Sequence, residues 1–273
     1  MKMHKQPLVS VVIPCYNHEN FVQDCIKSVI DQTYENIELI IIDDGSKDGS
    51  VQKIQEMSAA CQKRFTRFEF RYRPNKGLSE TLNEALEWCQ GEYYSAIASD
   101  DMMCANKTYN QVKFLNENHE YLAVFGGVIL IDEQGKILKL IYGTNKSYSF
   151  KKILMMEHYL PAPTQMIRIK YIKELGYKSG LYIEDWYMWL KLSMQGNIYC
   201  LNDTFCFYRQ HADNSSKMIH KMQDGRIDVL NIFKETEYYN AALNNVKWLN
   251  AVESYSQIKE GRNKYLIKAF FLN

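Results

Sequence analysis

The carboxylates of this chain come in adjacent pairs at points where apolar runs end or begin. Asp43-Asp44 closes the run Leu39-Ile40-Ile41-Ile42 and is followed by Gly45-Ser46. Asp100-Asp101 closes a second run at 93–98, and Glu184-Asp185 opens the amphipathic stretch Trp186-Tyr187-Met188-Trp189-Leu190. Acids at the carboxyl ends of buried strands suit a nucleotide and a hard divalent cation, which binds through few carboxylates plus phosphate oxygens. A further acid at a helix start is suited to take the proton of an attacking hydroxyl. Each pair also has a plainer reading. Asp-Gly and Pro-Asn-x-Gly make turns, acids stabilise helix N-termini, and tryptophans at helical spacing pack cores. The functional reading rests on the signals falling in one order, each in a matching context.

The elements that must position these residues alternate. Residues 8–13, 38–42, 68–73 and 93–98 read as buried strands. Between them, 19–32, 50–60 and 79–89 read as helices, the first with Phe21, Val22, Cys25, Ile26, Val29 and Ile30 on one face. Such alternation predicts right-handed βαβ units, a mostly parallel sheet, and ligands beyond the carboxyl ends of its strands. Further on, a helix is expected at 106–118, an antiparallel pair at 121–131 and 137–142, a helix at 184–195 and a strand region at 198–208. Residues 143–163 show no period and read as a mobile acceptor-side loop, and the chain from 217 reads as helical.

In order, Pro14-Cys15-Tyr16-Asn17, Asp43-Asp44-Gly45-Ser46, Ser99-Asp100-Asp101, Glu184-Asp185-Trp186 through Leu190, and Tyr208-Arg209-Gln210-His211 resemble the motifs of the inverting, non-processive glycosyltransferases of family 2. The resemblance covers roughly residues 7–215. It implies the α/β GT-A (Rossmann-like) fold, a mixed, mostly parallel sheet flanked by helices, here with a helical C-terminal extension. It divides the chain into a catalytic domain at 1–215, with a nucleotide-binding half at 7–101 and an acceptor-binding half at 102–215, and an extension at 216–273. Residue by residue, it gives Asp44 the hydrogen bond to the base, with Pro14, Tyr16, Asn17, Asp43, Arg73, Asn75 and Gly77 around the nucleotide. It gives Asp100 the ribose or the metal shell, and Asp101 a Mn²⁺ or Mg²⁺ ion. His211 goes to the metal or to phosphate. Asp185 is the expected general base, Glu184 its less favoured alternative, and Trp186 is either an acceptor-side platform or core.

The implied reaction moves one sugar from a nucleotide-sugar, a UDP-sugar by preference, to a hydroxyl of a growing, lipid-pyrophosphate-linked glycan, as in capsule or O-antigen assembly. The chain lacks the Q-x-x-R-W element of the processive synthases and the glycine-rich loop of sugar nucleotidyltransferases. The nucleotidyltransferase reading is therefore weaker, and a non-catalytic nucleotide-sugar binder or scaffold is the other alternative. At 273 residues the chain can bury a sizeable core. Thirty-three basic against 32 acidic residues advertise no nucleic-acid partner. Seven cysteines without a C-x-x-C pair suggest reduced thiols and a cytoplasmic protein, with no transmembrane segment in the sequence. The carboxyl end sets Lys259, Arg262, Lys264 and Lys268 beside Tyr265, Leu266, Phe270 and Phe271. Packing on the catalytic part, on a second copy in a homo-oligomer, or peripherally on an anionic leaflet are its readings.

Overall fold

The computed structural model describes residues 6–212, 214 and 217–259. Four parallel strands form its first half: β1 (Val9–Cys15), β2 (Ile37–Asp43), β3 (Arg67–Tyr72) and β4 (Tyr93–Ala96). Helices α1 (Val22–Ile30), α2 (Ser50–Arg64) and α3 (Leu78–Trp88) connect them. Parallel strands buried on both faces need mostly apolar residues. Strands β1 and β2 have them apart from Asp43 at the end of β2 and the buried pair Ser10 and Glu38, which bond to each other at 2.5 Å. Val9, Val11, Ile13, Ile37, Leu39 and Ile41 enter one core, and Val12, Ile40 and Ile42 enter the other. The register sets Cys15 beside Asp43, so the ends of β1 and β2 are level.

The second half adds β5 (Met102–Met103), α4 (Lys107–Glu117), β6 (Tyr121–Ile131), β7 (Ile137–Ile141), β8 (Lys146–Tyr148), α5 (Phe150–Leu154), β9 (Met166–Arg168), α6 (Ile169–Leu175), α7 (Glu184–Ser193) and β10 (Asn197–Arg209). One sheet runs through both halves in the order β3-β2-β1-β4-β9-β6-β10-β5, with β7 paired to β6 and β8 to β10. Strand β10 lies parallel to β6, and β9 is antiparallel to both of its neighbours, β4 and β6. The architecture is the mixed, mostly parallel sheet flanked by helices that the motifs implied.

Residues 143–163, expected as a loop, instead carry β8, α5 and the start of a short 3-10 turn, Ala162–Thr164. Strand β9, which joins the two halves of the sheet, was not expected at all. Three-residue strands are too short to show a period. The segment entering β8 crosses β10 so closely that a Cβ on Gly143 would stand 1.7 Å from the Leu201 carbonyl oxygen.

Beyond β10, α8 (Ile219–Ile232) and α9 (Tyr239–Lys259) pair through Arg226, which donates to both Glu253 oxygens at 2.6 and 2.7 Å. Val229, Leu230, Phe233, Ala242 and Val246 bury against the core that holds α7. The basic carboxyl end, residues 260–273 with the Lys259 side chain, lies outside the described residues. No helix among the described residues is long and apolar enough to cross a membrane.

Candidate active site

The loop after β1 is joined to the loop after β2 through Asn17. Its N–H donates to Ser46 Oγ at 2.8 Å, and its Oδ1 accepts the Lys47 N–H at 2.8 Å. Asn17 has φ +54°, a left-handed backbone that asparagine tolerates better than most residues. Tyr16 beside it is exposed, and Pro14 is half-buried. Asp43 faces inward to its own turn. Its Oδ1 accepts the Gly45 and Ser46 N–H groups, and its Oδ2 accepts the Ser46 hydroxyl at 2.6 Å. Asp44 faces the loop after β3. It accepts the Lys76 N–H at 2.8 Å, the Gly77 N–H at 2.9 Å and a short bond from Arg73 Nη1. Arg73 is held in turn by Glu84 at 2.8 Å and Thr81 at 3.0 Å. Gly45 is required at this junction: with φ +81°, its Cβ would also meet the Asn75 nitrogen at 2.6 Å. The two loops are thus fixed to each other, with exposed Asn75 at the rim.

The second acidic pair splits. Asp101 is 1 % exposed and turns into the protein, where its Oδ1 accepts the Arg209 backbone N–H at 2.9 Å. Burial, and then the neighbouring Asp100 charge, push its carboxyl well above the ordinary range. Asp100 turns the other way. Its Oδ2 lies 2.8 Å from His211 Nε2 and 4.0 Å from His18 Nε2, and its Oδ1 is buried without a partner. Donor atoms of His18, Asp100 and His211 all lie within 4.8 Å of one another. A buried acceptor without a partner costs about 1–3 kcal/mol, more when charged, and a divalent ion would remove that cost. The donor set therefore fits a metal; it includes Asp100, while the Asp101 carboxyl is turned to the Arg209 backbone.

Arg209 supports this arrangement from beneath. Nearly fully buried, it donates from Nε to the Asp100 carbonyl at 2.9 Å, from Nη1 to the Glu133 carbonyl at 2.8 Å, and from Nη2 to Asp24 at 3.1 Å. Its guanidinium also lies 4.8 Å from the centre of the Phe21 ring. His211 is anchored through its own backbone, donating to Asn214 Oδ1 at 2.6 Å.

Glu184 and Asp185 form the first turn of α7, where Asp185 Oδ1 accepts the Trp186 N–H at 2.6 Å. Both border a cleft of about 650 Å³. Lys76 and Gly77 of the loop after β3, Ser79 of α3, Tyr182 and Tyr208 are on its wall as well. Gly77 is bonded to Asp44, and Tyr208 precedes Arg209, so the cleft links the elements that carry the other motifs. Burial raises the affinity of both carboxyls for protons, and the Asp185 charge raises Glu184 further. The pair therefore favours one shared negative charge. Trp186 is no platform for a sugar. It is 2 % exposed and its indole N–H donates to the Ile153 carbonyl at 3.1 Å.

The model of glycosyl transferase family 2 matches residues 10–176, more than half of the chain. The chain belongs to glycosyl transferase family 2. An uncharacterized glycosyltransferase of Rickettsia felis is 30% identical over 220 residues, covering 78% of this chain and 36% of that protein. The chain spans about a third of the length of that protein and of two further Rickettsia relatives that it matches. Among solved structures, Staphylococcus aureus TarS in complex with UDP-GlcNAc superposes with TM-score 0.63 at 17% identity, over 84% of this chain and 67% of that one. The mannosyltransferase PcManGT of Pyrobaculum calidifontis, in complex with GDP-Man and Mn²⁺, gives TM-score 0.67 at 13% identity, over 93% and 76%. These likenesses show the GT-A fold.

Sequence reasoning missed two contributors to the site. His18 stands alone after β1 and has no spaced partner in the sequence. Arg209 was read as part of a motif and not as the buried support beneath Asp100. Its signal was an arginine at the end of a long strand flanked by aromatic residues.

Proposed function

We propose that this chain is a metal-dependent, inverting glycosyltransferase. It would move one sugar from a nucleotide-sugar, with UDP-sugars the first donors to test, to a hydroxyl of a glycan built on a lipid-pyrophosphate carrier. The observation that carries this reading is one cleft whose wall holds both Lys76 and Gly77, of the loop bonded to Asp44, and Glu184 and Asp185. An inverting transfer needs a leaving diphosphate held on one side of the sugar and one base on the opposite side.

In this reading, residues 7–101 hold the nucleotide. Asp44, buried and bonded to Arg73 and the Lys76 and Gly77 N–H groups, would accept an imide N–H of the base with a remaining lone pair. Asp100 and His211 would hold Mn²⁺ or Mg²⁺, whose charge offsets that of the departing diphosphate. Asp185 takes the proton of the acceptor hydroxyl as its oxygen attacks the anomeric carbon. Its burial keeps it a stronger base than a solvated aspartate. Glu184, carrying the pair's proton, is placed to donate a hydrogen bond into the same cleft. Residues 102–215 would form the acceptor side, with α8 and α9 as an extension packed behind α7. The likeness to structures holding UDP-GlcNAc and GDP-Man supports a nucleotide-sugar donor.

The test is nucleoside-diphosphate release from UDP-, dTDP- and GDP-sugars with Mn²⁺ or Mg²⁺, with and without chelator, in the presence of short lipid-pyrophosphate acceptors. Release from one donor that stops with chelator supports the reading, as does inverted anomeric configuration in the product. Donor binding without release under every condition would favour a non-catalytic binder.

A further inference from the structure

We propose that His18 is a third protein ligand of the divalent-ion site, and that the resulting two-imidazole, one-carboxylate set selects a first-row transition ion over Mg²⁺. This rests on reading Asp100 and His211 as holders of the ion. The three side chains come from three separate segments: the loop after β1, the turn after β4 and the segment beyond β10. Their convergence is therefore a property of the fold and not of one turn.

The His18 ring is held in one orientation. Its backbone N–H donates to Ser50 Oγ at 2.9 Å, and Nδ1 lies 2.7 Å from Ser99 Oγ. It meets the His211 ring edge-on, with centroids 5.7 Å apart and planes at 87°. With Nδ1 engaged by Ser99, Nε2 is the nitrogen presented to Asp100. A hydrogen bond at the far nitrogen is how proteins fix the tautomer and aim of a metal-binding histidine.

The spacings suit coordination. Two adjacent ligands on bonds of about 2.1 Å stand about 3 Å apart, and opposite ones about 4.2 Å. The 2.8 Å from Asp100 to His211 matches the first, and the 4.0 Å from Asp100 to His18 approaches the second. A structural ion pair would need only one histidine. Two rings directed at one carboxylate oxygen, with the other oxygen buried and unpartnered, leave room for a cation that all three would share.

Selectivity follows from the donor atoms. Mg²⁺ prefers oxygen and gives up its water reluctantly. Affinity of nitrogen-containing sites rises along the first transition row from Mn²⁺ to Co²⁺ and beyond. A site with two imidazoles therefore holds Mn²⁺ or Co²⁺ more tightly than Mg²⁺, before any nucleotide adds phosphate oxygens.

The experiment titrates Mg²⁺, Mn²⁺ and Co²⁺ into the full chain without nucleotide, and records pulsed electron paramagnetic resonance of the Mn²⁺ form to count coupled imidazole nitrogens. Wild type is expected to bind Mn²⁺ at least about 10-fold tighter than Mg²⁺ and to show two nitrogens. His18→Gln should show one nitrogen and bind Mn²⁺ about 10–100-fold more weakly, with Mg²⁺ changed little. Ser99→Ala keeps the ring and loosens its aim, so it should weaken Mn²⁺ binding by a smaller factor. Equal affinity for Mn²⁺ and Mg²⁺ in wild type, or two nitrogens surviving in His18→Gln, overturns the proposal. Asp100→Asn separates the two levels. If it binds ions like wild type, the metal site itself is misread. If it loses them while His18→Gln matches wild type, only the role of His18 falls.

Discussion

At the scale of residues, adjacent acids in this chain do different work because neighbouring side chains point to opposite sides. Asp43 ties its own turn while Asp44 holds the next loop, and Asp101 faces Arg209 while Asp100 faces two histidines. Glu184 and Asp185 instead share one cleft and compete for one proton. Both carboxyls are raised by burial, so the base is lost by protonation at a pH above the ordinary aspartate value of 3.8. Activity should therefore fall on the acid side, toward mildly acidic rather than strongly acidic pH. That limb should persist in Glu184→Gln, since burial raises Asp185 with or without Glu184 beside it, and a pH profile of kcat/KM for both proteins checks it. The acids were legible in the sequence because each pair sits where an apolar run ends or a helix begins. Which acid of a pair faces the site was not legible, since adjacency hides direction. His18 was invisible for a related reason: its partners Ser99, Asp100 and His211 are brought to it only by the sheet.

At the scale of elements, the long buried strands and amphipathic helices were readable, because periods of two and of 3.6 need length to show. The short strands β8 and β9 were not, and β9, between β4 and β6, is what joins the first half-sheet to the second. Their placement depends on close backbone crossings. Gly143→Ala would force a Cβ into the Leu201 carbonyl, which is backbone, beside the Cys200 sulfur. We expect a loss of about 3 kcal/mol in urea unfolding; an unchanged midpoint would mean that this crossing can spread at little cost. Arg209 joins the end of β10 to the Asp100 backbone, to Glu133 and to Asp24. Lysine cannot reproduce that fork. Arg209→Lys should cost at least about 2 kcal/mol of stability and weaken divalent-ion binding as Asp100 loses its support, both measurable on one sample.

At the scale of the whole molecule, stability and function make separate demands on buried charge. Lys107 lies fully buried behind the site, where its Nζ donates to Ser95 Oγ at 2.6 Å and to the Gln165 carbonyl at 3.2 Å, and burial lowers it from 10.5 to about 7. A base whose folded pKa is depressed binds its proton more readily when unfolded. Its contribution is therefore unpenalised above pH 10.5 and becomes increasingly unfavourable as pH falls to about 7. The urea midpoint of wild type relative to Lys107→Met should accordingly rise between about pH 7 and pH 9.5. A difference independent of pH would show that Lys107 stays charged in the fold. On the proposed reading, one cleft joins donor binding to proton removal by Asp185. The most direct measurement is donor affinity and turnover of Asp185→Asn beside wild type, on the donor that wild type accepts. The account predicts affinity within about twofold and turnover lower by about 10²–10⁴. Turnover equal to wild type would contradict it.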